Sequence, residues 1–178
     1  IKIIDKNNDG VINDNDRVRN DKTSTPEWVF GLSTGLTYEN FDLNLFFQGQ
    51  AGAVNYFRRF KGLGTTEPAN SYVQRAEDRW TLDNPDGAMP RARHNDIGNT
   101  TFFLYDASFI RLKSAEIGYH LPTMLTSKVK LENVRFYING SNLLTWAKEI
   151  DFTDPEVSGQ TIYYPQLKVI NFGFNIKF

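Results

Sequence analysis

Leu167-Lys168-Val169-Ile170-Asn171-Phe172-Gly173-Phe174-Asn175-Ile176-Lys177-Phe178 ends the sequence, and its alternation decides the fold. Successive side chains of a β-strand point to opposite faces. Read that way, Ile170, Phe172, Phe174, Ile176 and Phe178 share one face, and Asn171, Gly173, Asn175 and Lys177 share the other. A strand whose second face is this polar is not sandwiched between two apolar layers. Slipping the facing by one residue would move the asparagines and the lysine to the apolar side, so the register is strongly specified.

Working outward from the terminal strand, the same two-residue period recurs. Trp28, Phe30, Leu32, Leu36 and Tyr38 stand against Gly31, Ser33, Gly35 and Thr37. Phe41, Leu43, Leu45 and Phe47 stand against Asp42, Asn44, Gln48 and Gln50, with Phe46 the exception. Val134, Phe136 and Ile138 oppose Arg135, Tyr137, Asn139 and Ser141. In the segment 108–119, Ile110 and Leu112 are in phase, and the apolar series then continues at Ala115, Ile117 and Tyr119. An extra residue shifts facing in this way, which predicts a β-bulge near Lys113-Ser114. No sustained helical period with caps competes with these strands.

Strands are therefore expected at about 28–38, 41–50, 108–119, 134–145 and 167–178, joined alternately by short and long connections. Only Glu39-Asn40 separates the first two, whereas the stretches 1–26, 53–107 and 147–165 are long and polar. Tight turns at one end of the strands and extended loops at the other are the pattern of an outer-membrane β-barrel, which would make the long stretches extracellular. Trp28 and Trp146 fall at the expected outer ends, and Tyr38, Phe41, Tyr119 and Phe178 at the inner ends, as interfacial aromatic girdles require.

Composition sets the boundaries. The chain has no cysteine, which removes disulfides and thiolate metal sites. Its 20 basic and 21 acidic residues give no field that would attract nucleic acid. No apolar run reaches the roughly 20 residues of a membrane-spanning helix. That does not count against a barrel, whose strands average out as polar. No nucleophile–base pair, nucleotide-binding glycine loop or zinc motif stands in the sequence, so no enzymatic activity is expected. The first residues, Ile1-Lys2-Ile3-Ile4-Asp5, carry no initiator methionine or signal segment, which is the expectation for a piece of a longer protein.

On alternation alone, a soluble antiparallel β-sandwich fits equally well. Such a domain could be a secreted calcium-dependent binding module or adhesin. Strand length separates the readings: runs of about 10 to 13 residues match tilted membrane strands, against about 5 or 6 in globular proteins. Five strands cannot close a barrel, and open edges in lipid would leave backbone groups unpaired. The remainder of the same barrel is thus an expected partner.

Several motifs then occur in order: Asp5-Lys6-Asn7-Asn8-Asp9-Gly10 through Arg17, Pro26-Glu27-Trp28-Val29-Phe30-Gly31, and Tyr38-Glu39-Asn40-Phe41-Asp42-Leu43 through Phe47-Gln48-Gly49. They continue with Ser108-Phe109-Ile110-Arg111-Leu112-Lys113, Gly118-Tyr119-His120-Leu121-Pro122 and Gly140-Ser141-Asn142-Leu143-Leu144-Thr145. Asp154-Pro155-Glu156-Val157, Tyr164-Pro165-Gln166 and the terminal Phe178 complete the series. In order and spacing, this string resembles the C-terminal barrel segment of the SusC/RagA group of TonB-linked outer-membrane proteins. The stretch 56–101 resembles nothing specific.

The resemblance implies an all-β fold, the C-terminal part of a transmembrane barrel of about 22 strands whose lumen holds an N-terminal plug, here absent. It further implies import of glycans or peptides across the outer membrane of a Gram-negative, Bacteroidetes-type bacterium. The implied partners are a SusD-like surface lipoprotein, TonB through the missing N-terminal part, the plug, and outer-membrane lipid. Phe172, Phe174, Ile176 and Phe178 would then resemble the signal read by the barrel-assembly machinery.

Two candidate sites remain. Asp5, Asn7, Asp9, Val11 and Asp16, with Gly10 at the tight turn, fit the twelve-residue calcium-loop template. The same residues fit a string of Asx turns, in which short polar side chains satisfy nearby backbone. Trp80, Arg79, Arg91 and Arg93 lie in the longest polar stretch, where aromatic and guanidinium groups suit contact with a substrate or partner. Arg111, Lys113, Glu116 and Arg135 are expected on the lumen face, because a charge at the bilayer midplane costs about 2 to 4 kcal/mol.

Overall fold

The computed structural model describes residues 3–57, 77–91, 100–157 and 166–178. Arg93 and the pair Tyr164-Pro165 lie outside the described residues. Among the described residues there are seven strands: β1 (Trp28–Tyr38), β2 (Phe41–Ala51), β3 (Val54–Tyr56), β4 (Leu104–Asp106), β5 (Phe109–His120), β6 (Asn133–Ala147) and β7 (Val169–Lys177). The chain divides into two compact units.

The first unit comprises Pro26–Ala51, Ser108–Lys148 and Tyr164–Phe178. It is a five-stranded antiparallel sheet in the order β1-β2-β5-β6-β7. Neighbouring strands pair as Phe30↔Gly49, Leu43↔Ile117, Ile117↔Ile138 and Ile138↔Phe172. Residues paired across antiparallel strands share a face, so the apolar residues of all five strands form one continuous surface. The pairing shifts between Phe46 and Phe47 on β2 and between Leu112 and Ser114 on β5. Lys113 is the extra residue, and it lets the apolar series pass from Leu112 to Ala115 without a change of face.

Burial follows from the single layer. Phe172 is 78% exposed, Phe174 64% and Trp28 71%, and Phe178 beyond the end of β7 is 86% exposed. Phe46 stands on the opposite, polar face, where a Cβ at Gly31 would lie 3.2 Å from its ring. Tyr38 pairs directly with Phe41, so β1 and β2 turn through Glu39-Asn40 alone, with Glu39 at a left-handed φ of 51°. The turn between β5 and β6 carries one short helix, α1 (Thr123–Thr126), followed by a 3-10 turn. The three long connections all leave the other end of the sheet, where Trp28 pairs with Ala51 and Phe109 with both Gln50 and Ala147.

The second unit comprises Ile1–Thr25, Gly52–Ala107 and Glu149–Tyr163. The stretch 53–107, expected as an extracellular loop, contains structure of its own: β3 and β4 pair as Val54↔Asp106 and Tyr56↔Leu104. Ala53, Phe57, Met89, Phe103, Ala107 and Ile150 form a buried apolar cluster with Tyr56, Tyr105 and Phe152 packed against it. The Phe57 and Phe152 rings meet edge to face at 4.9 Å between centroids, the arrangement aromatic quadrupoles favour. Buried Asn55 donates its side-chain amide to the carbonyls of Pro155 and Val157 at 3.1 and 3.0 Å, and Val54 N donates to Thr23 O.

Candidate functional site

The polar face of the sheet carries charge across three strands. Arg135 on β6 donates Nε to Asp42 Oδ1 on β2 at 2.9 Å, and Nη2 to Asp42 Oδ2 and to Glu116 Oε1 on β5. His120 Nε2 lies 3.0 Å from Asp42 Oδ1, and Asn139 Nδ2 donates to Glu116 Oε2 at 3.2 Å. Asn171 on β7 continues the row by donating to Asn139 Oδ1 at 3.0 Å. Alternation alone dictates this shared face: Asn44, Glu116, Asn139 and Asn171 are successive cross-strand partners.

Two glycines allow the long side chains to lie flat. The guanidinium of Arg135 runs over Gly118, where any Cβ would collide with it. The Tyr137 ring covers Gly173 on β7 in the same way, and the Arg135 guanidinium lies 5.2 Å from that ring's centroid. Glycine in a strand interior marks such a close approach.

Nearer the long-connection end of the same face, Arg111 is 2% exposed. Its Nε donates to Thr145 Oγ1 at 2.9 Å, its Nη1 to Gln166 Oε1 at 2.7 Å, and its guanidinium lies 5.0 Å from the Phe109 ring centroid. Lys113 Nζ reaches the same Gln166 oxygen at 3.2 Å. The expectation that Arg111, Lys113, Glu116 and Arg135 avoid the apolar face agrees with these contacts.

Of the four residues named in the longest connection three are described, and two of them, Trp80 and Arg91, line one cleft. Trp80 N donates to Met89 O at 2.7 Å and Met89 N to Asp78 O at 3.0 Å, so residues 78–91 fold back on themselves. Trp80 and Arg91 line a cleft of about 380 Å³ with Met89, Pro90 and Phe102. Arg79 bridges Met89 through its backbone, and Asn84 Nδ2 donates to the Arg79 carbonyl.

The residues Asp5–Asp16 form a loop closed by its own carboxylates. Asp5 accepts from Asn8 N and Gly10 N, Asn7 Oδ1 from Asp9 N, and Asp9 Oδ1 from Val11 N. Asp16 accepts from Lys6 N at 2.7 Å and Asn13 N at 2.8 Å, and Asn13 caps the 3-10 turn Asp14–Asp16 reciprocally. These backbone donors hold the Asp16 carboxyl below the usual aspartate range, Asn13 contributing most. Among the described residues, no three His, Cys, Asp or Glu side chains gather to hold a metal ion.

No protein-family model matches the chain. Over 170 residues it is 32% identical to TonB-dependent receptor P3 of Formosa agariphila, covering 86% of this chain and 16% of that protein. It is 30% identical to TonB-dependent receptor P26 of the same organism, covering 99% of this chain and 19% of that one. The chain belongs to the TonB-dependent receptors. It spans less than a fifth of the length of the curated relatives it matches, 16% and 19%.

Solved structures place this receptor segment in a barrel. The RagAB peptide transporter superposes with a TM-score of 0.71 at 24% identity, over 94% of this chain and 19% of that one. The RagAB peptide importer in its open-open state gives 0.67 at 28% identity, and in its closed-closed state 0.73 at 24%. The five-stranded sheet is accordingly a piece of transmembrane barrel wall, of the SusC/RagA type that the motif string resembles.

Proposed function

We propose that this segment forms wall and outer connections of an outer-membrane importer that carries peptides or glycans into a Bacteroidetes-type cell, together with a SusD-like surface lipoprotein and with energy delivered through TonB. The observation that carries the reading is the two-faced sheet. One face exposes Trp28, Leu36, Phe172 and Phe174, and the other holds Asp42, Glu116 and Arg135 in one hydrogen-bonded group. Such a sheet is matched to lipid on one side and a water-filled, plugged lumen on the other. A secreted sandwich would instead need that apolar face covered, as a core.

Peptide cargo is favoured by the RagAB structures, which are of a peptide transporter and overlap 94% of this chain. In this arrangement the three long connections face outward, and Trp80, Arg79 and Arg91 contribute to contact with lipoprotein or cargo. The segment supplies shape and binding surface, and the chemistry of the importer is transport.

Single cysteines introduced into the full-length receptor test the orientation. At Asp83 a membrane-impermeant thiol reagent should label intact cells, and at Asn40 only lysed ones. Labelling of Asn40 on intact cells, or recovery of the receptor in the soluble fraction, would overturn the proposal.

A further inference from the structure

Five aromatic residues stand in one row across the apolar face. Tyr38 pairs with Phe41, Phe41 with Tyr119, Tyr119 with Phe136 and Phe136 with Phe174, so every strand of the five-stranded sheet contributes one ring at the same level. The Phe41 and Tyr119 rings lie 4.8 Å apart, and the Phe136 and Phe174 rings 6.5 Å. Aromatic rings gather where acyl chains meet headgroups. Between Trp28 and Tyr38, β1 rises roughly 25 Å along the membrane normal, at ~3.3 Å per residue and a tilt of about 40°, which is the height of a barrel's apolar band.

The connection between β5 and β6 begins just past that row. Val134, two residues beyond Phe136, shares its face but is buried, whereas Phe136 and Ile138 are exposed. The chain folds back there: Leu121 N donates to Val134 O, Leu131 N donates to Thr126 O, and α1 packs against β6. The connection thus stands on the apolar side of the wall, on the headgroup side of the rings. It exposes Met124 and Leu125 on α1, and Lys128 and Lys130 directly after them. The sole acidic residue of 121–132, Glu132, is paired with Lys177. Apolar side chains followed by cations at this depth match a leaflet surface, where acyl chain gives way to phosphate.

We propose that the β5–β6 connection is an interfacial foot: Met124 and Leu125 enter the upper acyl region, and Lys128 and Lys130 bind the phosphates of anionic phospholipid in the adjacent leaflet. The inference rests on the barrel-wall reading above. Continuity of the foot with the apolar face selects lipid over a protein partner.

The test uses the full-length receptor with bimane on a single cysteine, Leu125→Cys, reconstituted into phosphatidylcholine vesicles. The probes are phosphatidylcholine and phosphatidylglycerol brominated near the top of the acyl chains, each at low mole fraction. Brominated phosphatidylcholine should quench the label at Leu125→Cys and leave a label at Asp83→Cys bright. Brominated phosphatidylglycerol should be enriched at the Leu125→Cys label about five-fold for each lysine. Lys128→Gln combined with Lys130→Asn should bring that enrichment to about one, with phosphatidylcholine quenching and barrel yield unchanged. Asparagine is chosen at Lys130 because it tolerates the left-handed φ of 58° found there. Both leaflets carry the same lipids, so the outcome does not depend on which end of the barrel faces outward. No quenching by either lipid in an inserted barrel would overturn the foot and leave the wall reading intact. Equal quenching by both lipids, or an enrichment that survives the double variant, would overturn the phosphate site. A receptor that fails to enter the vesicles at all would sink the wall reading and the foot with it.

Discussion

Arg135 reaches Asp42 across an intervening strand, with Nε 2.9 Å from Oδ1, although the two residues are 93 positions apart in sequence. Both side chains are 15% exposed, so solvent screens the pair less than it would a surface ion pair. The contact ties β2 to β6 over β5, adding a direct cross-link to the backbone ladder of the barrel wall.

The first prediction follows from that tie. In the full-length receptor, a double-mutant cycle of Asp42→Asn and Arg135→Gln should return a coupling of about 0.5 to 3 kcal/mol. Urea unfolding in detergent micelles measures it. Arg135→Gln alone should be the more damaging change, since it leaves Asp42 and Glu116 without their shared guanidinium. Strict additivity would show that the contact contributes nothing.

Gly118 gives a second prediction. A methyl group there meets the Arg135 guanidinium, so Gly118→Ala should destabilise the unmodified barrel. In an Arg135→Ala background the same substitution should cost little. An equal cost in both backgrounds would assign the effect of Gly118 to the backbone instead.

The terminal strand gives a third. Deleting Phe178 should lower the amount of assembled barrel, read by heat modifiability on gels, far more than it lowers the unfolding midpoint of barrels already formed. Asn171→Leu loses one hydrogen bond to Asn139 on the polar face and should assemble nearly as well as the parent. Normal assembly without Phe178 removes Phe172, Phe174, Ile176 and Phe178 from consideration as an assembly signal.

At the Asp5–Asp16 loop the expected response is to pH. The Asp16 carboxyl titrates below its unfolded value because backbone N–H groups favour the charged form. The stabilisation is therefore complete above the unfolded aspartate value of about 3.9 and is lost as pH falls through the lowered folded value. Exchange protection of the Lys6 and Asn13 amides should vanish over that acid range and be insensitive to pH near neutrality. Millimolar calcium should leave the protection unchanged if the loop is a set of Asx turns, and a calcium-dependent rise would revive the cation-binding alternative.

For the outward-facing connections proposed above, Trp80→Ala should reduce uptake of fluorescent peptide by whole cells several-fold at an unchanged level of surface-exposed receptor. Unchanged uptake would take Trp80 out of the contact surface.

The parts of this structure that could be read from sequence are those written in a local period. The alternation of Ile170, Phe172, Phe174 and Ile176 needs only a few residues to declare a strand and its facing, and the phase change at Lys113 is where the pairing register shifts. The pairing of β3 with β4 was not legible, because three residues at Val54–Tyr56 and three at Leu104–Asp106 carry no period of their own. The apolar cluster of Phe57, Met89, Phe103 and Ile150 draws on separate stretches of chain and has no spacing to detect. The polar face was legible as a face, from alternation, but not as contacts. That Arg135 chooses Asp42, and that Gln166 meets Arg111 and Lys113, depends on register between strands and on a connection whose path the sequence does not state.

The cluster around Phe57 has a consequence for how such receptors diversify. Val54 N donates to Thr23 O, Asn55 clasps Pro155 and Val157, and Ile150 completes the interior. Three connections that are far apart in the gene thus share one foundation. A chimera that imports a single one of them from another receptor brings the wrong complement to that interior. Transplanting all three together preserves it, so these connections should pass between receptors as one cassette, jointly or not at all.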